Sequence, residues 1–347
     1  MNKKLLFAIP VILPLLASCV GTKQYALEDY EVGVKWSNPE EDFRILQLCD
    51  IHLSQSDIYE RHFKLLGKTI KQANPNLIVL NGDSFTYADK GVVAKLFAFI
   101  DSYDIAWTFT YGNHDDQGYF ADTYIQRILT DKSLFKNAKF VNNEDDNVTG
   151  RSNFVLNIYQ REKNAAGEYE SNTVFQVYCL ESHSYNFDTI AYDYIKQDQI
   201  DWYERMVKDS AEKYGEVLPS AMYFHIPLPE FFSAWEDSKK EGGGVHGAEV
   251  ILGKTQEFGG GPTVESDTHL FDKVKELDST IAISCAHDHI NDSVIMYDDV
   301  ALCFGVHATD RIYYDAEMLG GQVISINHDN PWELSFENIY ETYEEGK

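Results

Sequence analysis

From residue 43 onward, hydrophobic positions gather into short apolar runs of five to seven residues, at 43–49, 77–81, 105–110, 154–159, 174–180, 221–226, 281–285, 300–304 and 322–326. Runs of that length, bounded by polar residues, predict β-strands. Between several of them the spacing becomes helical, most clearly over 57–73, where Ile58, Phe63, Leu65, Leu66 and Ile70 partly align and Pro75 stands just beyond the end. Further helices are predicted over 91–103, 121–131, 196–213 and 268–277. Strand–helix alternation in the first third, followed by strand-rich sequence, predicts an α+β layered sandwich without internal repeats. The stretch 231–267 breaks the pattern, with weak periodicity and the glycine-rich strings EGGGVHG and FGGGP. It reads either as a mobile surface loop or as a loop at the mouth of a site.

The first residues, MNKKLLFAIPVILPLLASC, place two lysines before an apolar run and small residues after it, the layout of a secretory signal. Two prolines and a short span argue against a membrane helix. Leu16-Ala17-Ser18-Cys19 resembles the bacterial lipobox, whose cysteine becomes the lipidated first residue of the mature chain. The expectation is a signal peptide over 1–18, a polar lipid-anchored tether over 19–41 and a folded body over 42–347. The protein would then be exported and anchored in a bacterial membrane, at the periplasmic or cell-surface face of the outer membrane. Cys19→Ser should release or misprocess it, and a variant that still partitions into membranes at unchanged mature mass would refute the anchor.

The chain of 347 residues is 44% hydrophobic and 24% charged, which suits one large domain or two modest ones and excludes a disordered protein. Acidic residues outnumber basic ones 56 to 29, for a formal charge of −27, and loss of the signal would remove Lys3 and Lys4 as well. Such a surface disfavours polyanions, so nucleic acid is not an expected partner. An anionic substrate would need a local cationic centre, which bound metal would supply. Besides Cys19, the four cysteines Cys49, Cys179, Cys285 and Cys303 sit in or at the end of apolar runs with no CxxC spacing. Buried free thiols are expected rather than a zinc–thiolate site, with one disulfide left open for an exported protein.

Candidate chemistry stands where the apolar runs stop. The first ends in CDIH, giving Asp50 and His52, which could form a metal pair; NLIVLNGD ends in Gly82 and Asp83; IAWTFTYGNHDD ends in Gly112, Asn113, His114 and Asp115. AMYFHIPLP delivers His225, and ISCAHDH ends in His287 and His289, which can offer neutral imidazoles to two ions or to one shared ion. Each motif alone is common. Together they would collect at one edge of the sheets, where layered folds tend to place their sites. His62, His183, His246, His269 and His328 read as structural or exposed, and His307 in FGVHATD as a residue that reaches the pocket.

The ordered series Asp-x-His, Gly-Asp, Gly-Asn-His-Asp, His and His-x-His, each at a strand end, resembles the calcineurin-like metallophosphoesterase superfamily over 43–289. FHIPLPEF and YDYIKQDQIDWYE are similar to its purple-acid-phosphatase-related branch. The resemblance implies a four-layer αββα sandwich of two mixed β-sheets flanked by helices, the catalytic domain spanning 42–347. It implies that Asp50, His52 and His289 hold one metal, that Asn113, His225 and His287 hold a second, and that Asp83 bridges both. A carboxylate has two oxygens with which to bridge, and a neutral asparagine ligates without adding negative charge. The ions would be divalent or of mixed valence (Fe, Mn or Zn), and metal-bound hydroxide would attack phosphorus directly. His114 would be the general acid or transition-state stabiliser, and Asp115 would orient the neighbouring loop.

A phosphomonoesterase acting on a small phosphorylated substrate is favoured over a phosphodiesterase. The rival of another class is a non-catalytic lipoprotein that binds a glycan or nutrient through a relic metal site, against which the complete ligand set argues. Oligomeric state is not set by the sequence. Two features depart from the pattern. Ala286 stands where the family usually has glycine. GDSFTY reproduces the GDxxY spacing of purple acid phosphatases, whose tyrosinate gives ferric iron its colour, yet His52 would fill the same coordination position. Imidazole binds as a neutral group, whereas phenol, with a pKa of ~10, must first lose its proton. The expectation for Tyr87 is an aromatic ring packed beside the site of a colourless protein.

Overall fold

A computed structural model describes residues 25–55, 59–118, 121–163, 169–186, 191–258 and 269–343. The signal-like stretch, Cys19 and most of FGGGP lie outside the described residues. The chain opens with β1 (Glu31–Lys35) and β2 (Phe43–Leu48), then alternates α1 (Tyr59–Ala73), β3 (Leu77–Asn81), α2 (Lys90–Asp101), β4 (Ala106–Thr110) and α3 (Ala121–Thr130). Two long strands, β5 (Phe154–Lys163) and β6 (Tyr169–Cys179), precede the short pair β7 (Tyr185–Asn186) and β8 (Ala191–Tyr192). There follow α4 (Gln197–Tyr214), β9 (Ser220–Tyr223), α5 (Pro229–Ser238), β10 (Glu249–Leu252), α6 (Leu270–Leu277) and β11 (Thr280–Cys285). The described chain ends with β12 (Val294–Tyr297), β13 (Val300–Phe304), β14 (Gly320–Ile326) and β15 (Leu334–Tyr340).

Two mixed sheets result, one of five strands in the order β15-β14-β2-β3-β4 and one of eight in the order β1-β5-β6-β9-β11-β13-β12-β10. Within the first, β2, β3 and β4 are parallel, and within the second β6, β9, β11 and β13 are parallel. The central strands are buried on both faces, which explains why their sequences read as unbroken apolar runs. Successive residues enter different cores: Ala221 and Tyr223 of β9 and Ala282 of β11 face the five-stranded sheet, while Met222, Phe224 and Ile283 face outward. The outward set packs against Ile200, Trp202 and Met206 of α4, Phe231 of α5 and Phe271 of α6. On the opposite side Leu66 and Ile70 of α1 and Val93 and Phe97 of α2 cover the five-stranded sheet. The expected four layers are therefore present, with the core divided on either side of the eight-stranded sheet.

Buried amides tie the two sheets together. Gln47 of β2 donates from Nε2 to the carbonyl of Cys285 at 2.8 Å and accepts from Ser284 Oγ. Asn81 of β3 donates to the carbonyls of Phe224 at 3.0 Å and Ser284 at 3.3 Å, and Gln322 of β14 donates to that of Phe304 at 2.9 Å. Each adds a side-chain hydrogen bond to a buried carbonyl near a strand end of the facing sheet.

The tether expected over 19–41 needs correction. Leu27–Asp29 forms a 3₁₀ turn, β1 pairs in parallel with β5, and Val34 and Trp36 are buried, so the folded body begins before residue 42. As an edge strand burying one face, β1 lacks the continuous apolar run that marks its central neighbours. The segment after residue 231 is likewise more regular than its sequence suggests, with α5, a 3₁₀ segment at Glu241–His246 and the edge strand β10. Cys49, Cys179, Cys285 and Cys303 are buried free thiols.

Candidate metal centre

Every polar group singled out at a strand end lies at the C-terminal edge of a parallel strand. Asp50 and His52 follow β2, Asp83 follows β3, and Asn113 and His114 follow β4; from the facing sheet, His225 follows β9 and His287 and His289 follow β11. The backbone is bent sharply to achieve this. Asp50, His52, Asp83 and His287 have φ of 52°, 51°, 48° and 77°, in the left-handed region that costs residues with a side chain on the order of 1 kcal/mol each. Two glycines make room. A Cβ on Gly82 would fall 2.3 Å from His225 Nδ1, and one on Gly112 would fall 2.3 Å from Asp83 Oδ1. Ala286 is buried without a positive φ and donates its N–H to the His225 carbonyl at 2.9 Å, so its methyl group demands no glycine-only conformation.

Two groups of ligand-type atoms result, Asp50 with His52 and His289, and Asp83 with His225 and His287, each with its atoms within 4.8 Å of one another. Asp83 belongs to both neighbourhoods: its Oδ2 is 3.2 Å from His225 Nε2 and 3.6 Å from His52 Nε2. Asp50 Oδ1 lies 3.5 Å from His289 Nε2 and 3.9 Å from His225 Nε2, and the Nε2 atoms of His52 and His289 are 3.2 Å apart. Asp50 Oδ1 and Asn113 Oδ1 are buried with no hydrogen-bond partner, and His225 Nε2 faces Asp83 Oδ2 at 3.2 Å. Buried polar atoms without partners are what a cation would satisfy, and mixed imidazole, carboxylate and amide donors suit Zn, Fe or Mn.

The far sides of three of these imidazoles are also held. His225 Nδ1 is 3.1 Å from the Asn81 carbonyl and His289 Nδ1 is 2.8 Å from that of Tyr313, which turns each Nε2 inward. Thr86 Oγ1 donates to the His52 carbonyl at 3.0 Å and lies 3.4 Å from His52 Nδ1. Burial pushes His52 down to about 3 and His287 well below the usual imidazole range, keeping both neutral and able to ligate. Burial alone would raise Asp83, yet the imidazoles of His225, His52 and His114 outweigh it and hold its carboxyl well below the ordinary range. Burial likewise pulls His225 down, but Asp83 and Asp50 more than compensate, lifting it to about 9. A metal entering there would displace that proton.

The remaining sequence candidates fall into place around these groups. His114 donates its backbone N–H to Asp83 Oδ1 at 2.8 Å, has Nδ1 3.0 Å from Gln117 Oε1 and lines a cavity of about 240 Å³ in front of the ligands. Asp115 accepts from the N–H groups of Phe85 at 3.0 Å and Gly112 at 2.8 Å, fastening the two neighbouring loops to each other as expected. His307 is corrected: it is buried, absent from the cavity wall and stacked on His289 at 4.3 Å and 13°, so it backs a ligand instead of facing substrate. Tyr87 is corrected too, being 54% exposed; beyond Asp83, the residue of GDSFTY that touches a ligand histidine is Thr86. Tyr87→Phe should leave metal content and absorbance of the iron-loaded protein unchanged, and a visible band that vanishes in the variant would overturn this. His62, His183, His246, His269 and His328 serve elsewhere, with Tyr343, Gln199, Asp298, Asp272 and Asp42 as their respective neighbours.

Six wall residues were not among the candidates named from the sequence: Tyr192, Glu257, Phe258, Asp288, Ile312 and Tyr313. Glu257 and Phe258 favour the reading of their irregular segment as the mouth of a site.

Residues 43–291 match the family model described as calcineurin-like phosphoesterase. This chain belongs to that family. Among curated relatives of this calcineurin-like phosphoesterase, Phosphatase DCR2 of Saccharomyces cerevisiae is 29% identical over 298 residues, covering 77% of this chain and 48% of the yeast protein. The chain therefore spans about half the length of that relative. Probable inactive purple acid phosphatase 29 of Arabidopsis thaliana is 26% identical over 296 residues, covering 76% of this chain and 71% of the plant protein. Among solved structures, purple acid phosphatase PPD1 from yellow lupin seeds aligns over 87% of this chain and 53% of its own, at 10% identity and a TM-score of 0.39. The family match encloses all seven candidate ligands and His114, whereas Ile312 and Tyr313 lie beyond it.

Proposed function

We propose that this calcineurin-like phosphoesterase is a dinuclear metal-dependent phosphomonoesterase. The observation that carries the reading is the position of Asp83, whose Oδ2 stands between His52 and His225, one from each ligand group. Asp50, His52 and His289 would hold one ion, and Asn113, His225 and His287 the other. When bound, two such ions supply positive charge for a phosphoryl group and lower the pKa of water toward neutrality. Among the described residues no lysine or arginine lines the cavity, so the chain's own cationic contribution falls to imidazole. The contact of His114 Nδ1 with Gln117 Oε1 leaves Nε2 facing the reaction, and in the doubly protonated ring that atom can pass a proton to a departing oxygen.

Monoesters are favoured over diesters on the likeness to phosphatase-named relatives, and Fe, Mn and Zn all remain compatible with the donor set. The buried, unpartnered ligand atoms speak for a working centre over a relic in a glycan-binding protein, because a relic would have no reason to keep them unsatisfied. Purified protein should hydrolyse an aryl phosphate, lose that activity to a chelator and regain it with added Mn, Fe or Zn. A panel of mono- and diesters should show the monoester preference. Metal-replete protein with no chelator-sensitive hydrolysis of either ester class would refute the proposal.

A further inference from the structure

Beyond the ligand histidines the cavity wall is aromatic and acidic. Tyr192 meets His287 edge-on with ring centroids 4.3 Å apart, and Tyr313 lies flat on His289 at 4.2 Å and 11°. Glu257 and Asp288 add carboxyl groups. Of the nearby lysines, Lys254 is drawn to Asp315 at 3.6 Å, and Lys239 lies 5.9 Å from the Phe258 ring at the rim.

Glu257 is held firmly for a residue at a cavity mouth. The N–H groups of Gln256 and Glu257 donate to Asn291 Oδ1 at 2.7 and 2.8 Å, and Asn291 Nδ2 returns a bond to the Glu257 carbonyl at 3.0 Å. Asn291 is fully buried and stands two residues after His289, so the turn that delivers the histidines also places this carboxylate. The Tyr313 hydroxyl, 2.9 Å from both carboxylate oxygens, gives it one donor and leaves most of its acceptor capacity unused.

We propose that this wall selects a leaving group bearing a positive charge. The substrates are phosphate monoesters of amino alcohols, quaternary ammonium alcohols above all, with Glu257 as counter-charge and Tyr192 and Tyr313 as aromatic surfaces. Aromatic faces combined with a carboxylate are the recognised chemistry for an alkylammonium group. A leaving group with a further anionic charge would meet Glu257 without a cationic partner, whereas the ammonium of an amino-alcohol ester offsets part of its phosphate charge and lessens long-range repulsion from a chain of net charge −27. A space of about 240 Å³ suits a small alcohol of this kind. The reaction forms a P–O bond from water, breaks the P–O bond to the alcohol and returns one water proton to the alcohol oxygen, releasing amino alcohol and inorganic phosphate.

This inference rests on the phosphomonoesterase reading, and the test separates the two. kcat/KM is measured for choline phosphate and for its uncharged isostere 3,3-dimethylbutyl phosphate, with an aryl phosphate as reference, in wild type and in a Glu257→Gln variant whose folding is checked by its melting temperature. Tetramethylammonium binding is titrated calorimetrically in parallel. The expected result is a preference of ~10-fold or more for the cationic ester, shrinking to about threefold or less in Glu257→Gln, with tetramethylammonium binding weakened in the same variant. Equal kcat/KM for the two esters while the aryl phosphate is hydrolysed would overturn this inference and leave the phosphatase standing, and a preference that survives Glu257→Gln would overturn the role of Glu257. If no ester is hydrolysed the phosphatase reading falls, and tetramethylammonium binding then decides for or against the cationic subsite.

Discussion

Asp83→Asn should yield a protein that retains no more than one tightly held ion per chain, against about two in the wild type, and whose turnover falls on the order of 10³-fold or more, as expected when several kcal/mol of charge stabilisation disappears. The side chain is buried and committed on both oxygens: Oδ1 receives the His114 N–H at 2.8 Å, and Oδ2 faces His225 and His52. Asparagine can keep one of these roles. If its oxygen stays with His114, its NH2 group points hydrogens at the place where two cations would sit; if it flips, the N–H of His114 loses its acceptor. Elemental analysis and a rate measurement on the same preparation check the outcome. Two ions with full activity would show that Asp83 does not bridge.

For His114→Asn the expected pattern is the reverse, unchanged metal content with turnover lowered ~10²–10⁴-fold, the usual scale for a lost acid–base group. His114 touches the ligand set only through its backbone N–H, which any residue supplies, while its ring stands in the cavity with centroid 5.3 Å from that of His52. Esters with poor leaving groups should suffer more than an aryl phosphate, since a good leaving group needs little help from a proton. Turnover equal to wild type on both kinds of ester would remove His114 from the mechanism.

The candidate ligands were legible in the sequence because a buried parallel strand leaves a clear trace: an apolar run that stops at a polar residue. Asp50, His52, Asp83, Asn113, His225, His287 and His289 all carry that trace, and Asp115, at the end of the same run as Asn113 and His114, was read as orienting the neighbouring loop. Residues whose role depends on distant partners left no trace. Tyr313 reaches His289 across 24 positions and Glu257 reaches Asn291 across 34, and nothing near either residue announces the contact. Ile312 adopts φ of 66°, a conformation β-branched residues rarely enter, so local preference pointed away from the turn that presents Tyr313. His307 misled for a related reason: a histidine after a strand can face a cavity or stand behind one, and only packing decides which. β1 was hidden because an edge strand alternates where central strands do not.

The candidate metal centre straddles a seam. Asp50, His52, Asp83 and Asn113 ride on one sheet and His225, His287 and His289 on the other, so the separation between the two ligand rows is set by how the sheets slide past each other. Gln47, Asn81 and Gln322 act against that sliding, as rungs fixed across the joint a few residues from the ligands. Shear of even a fraction of an ångström would change the spacing of the candidate ligands, so these amides would bear on any ions held there although none faces the cavity. Ions bound across the joint would in turn rivet it shut, stabilising the folded state in proportion to the logarithm of their concentration over their dissociation constant. Removing them should therefore soften the whole sandwich as well as silence one edge of it.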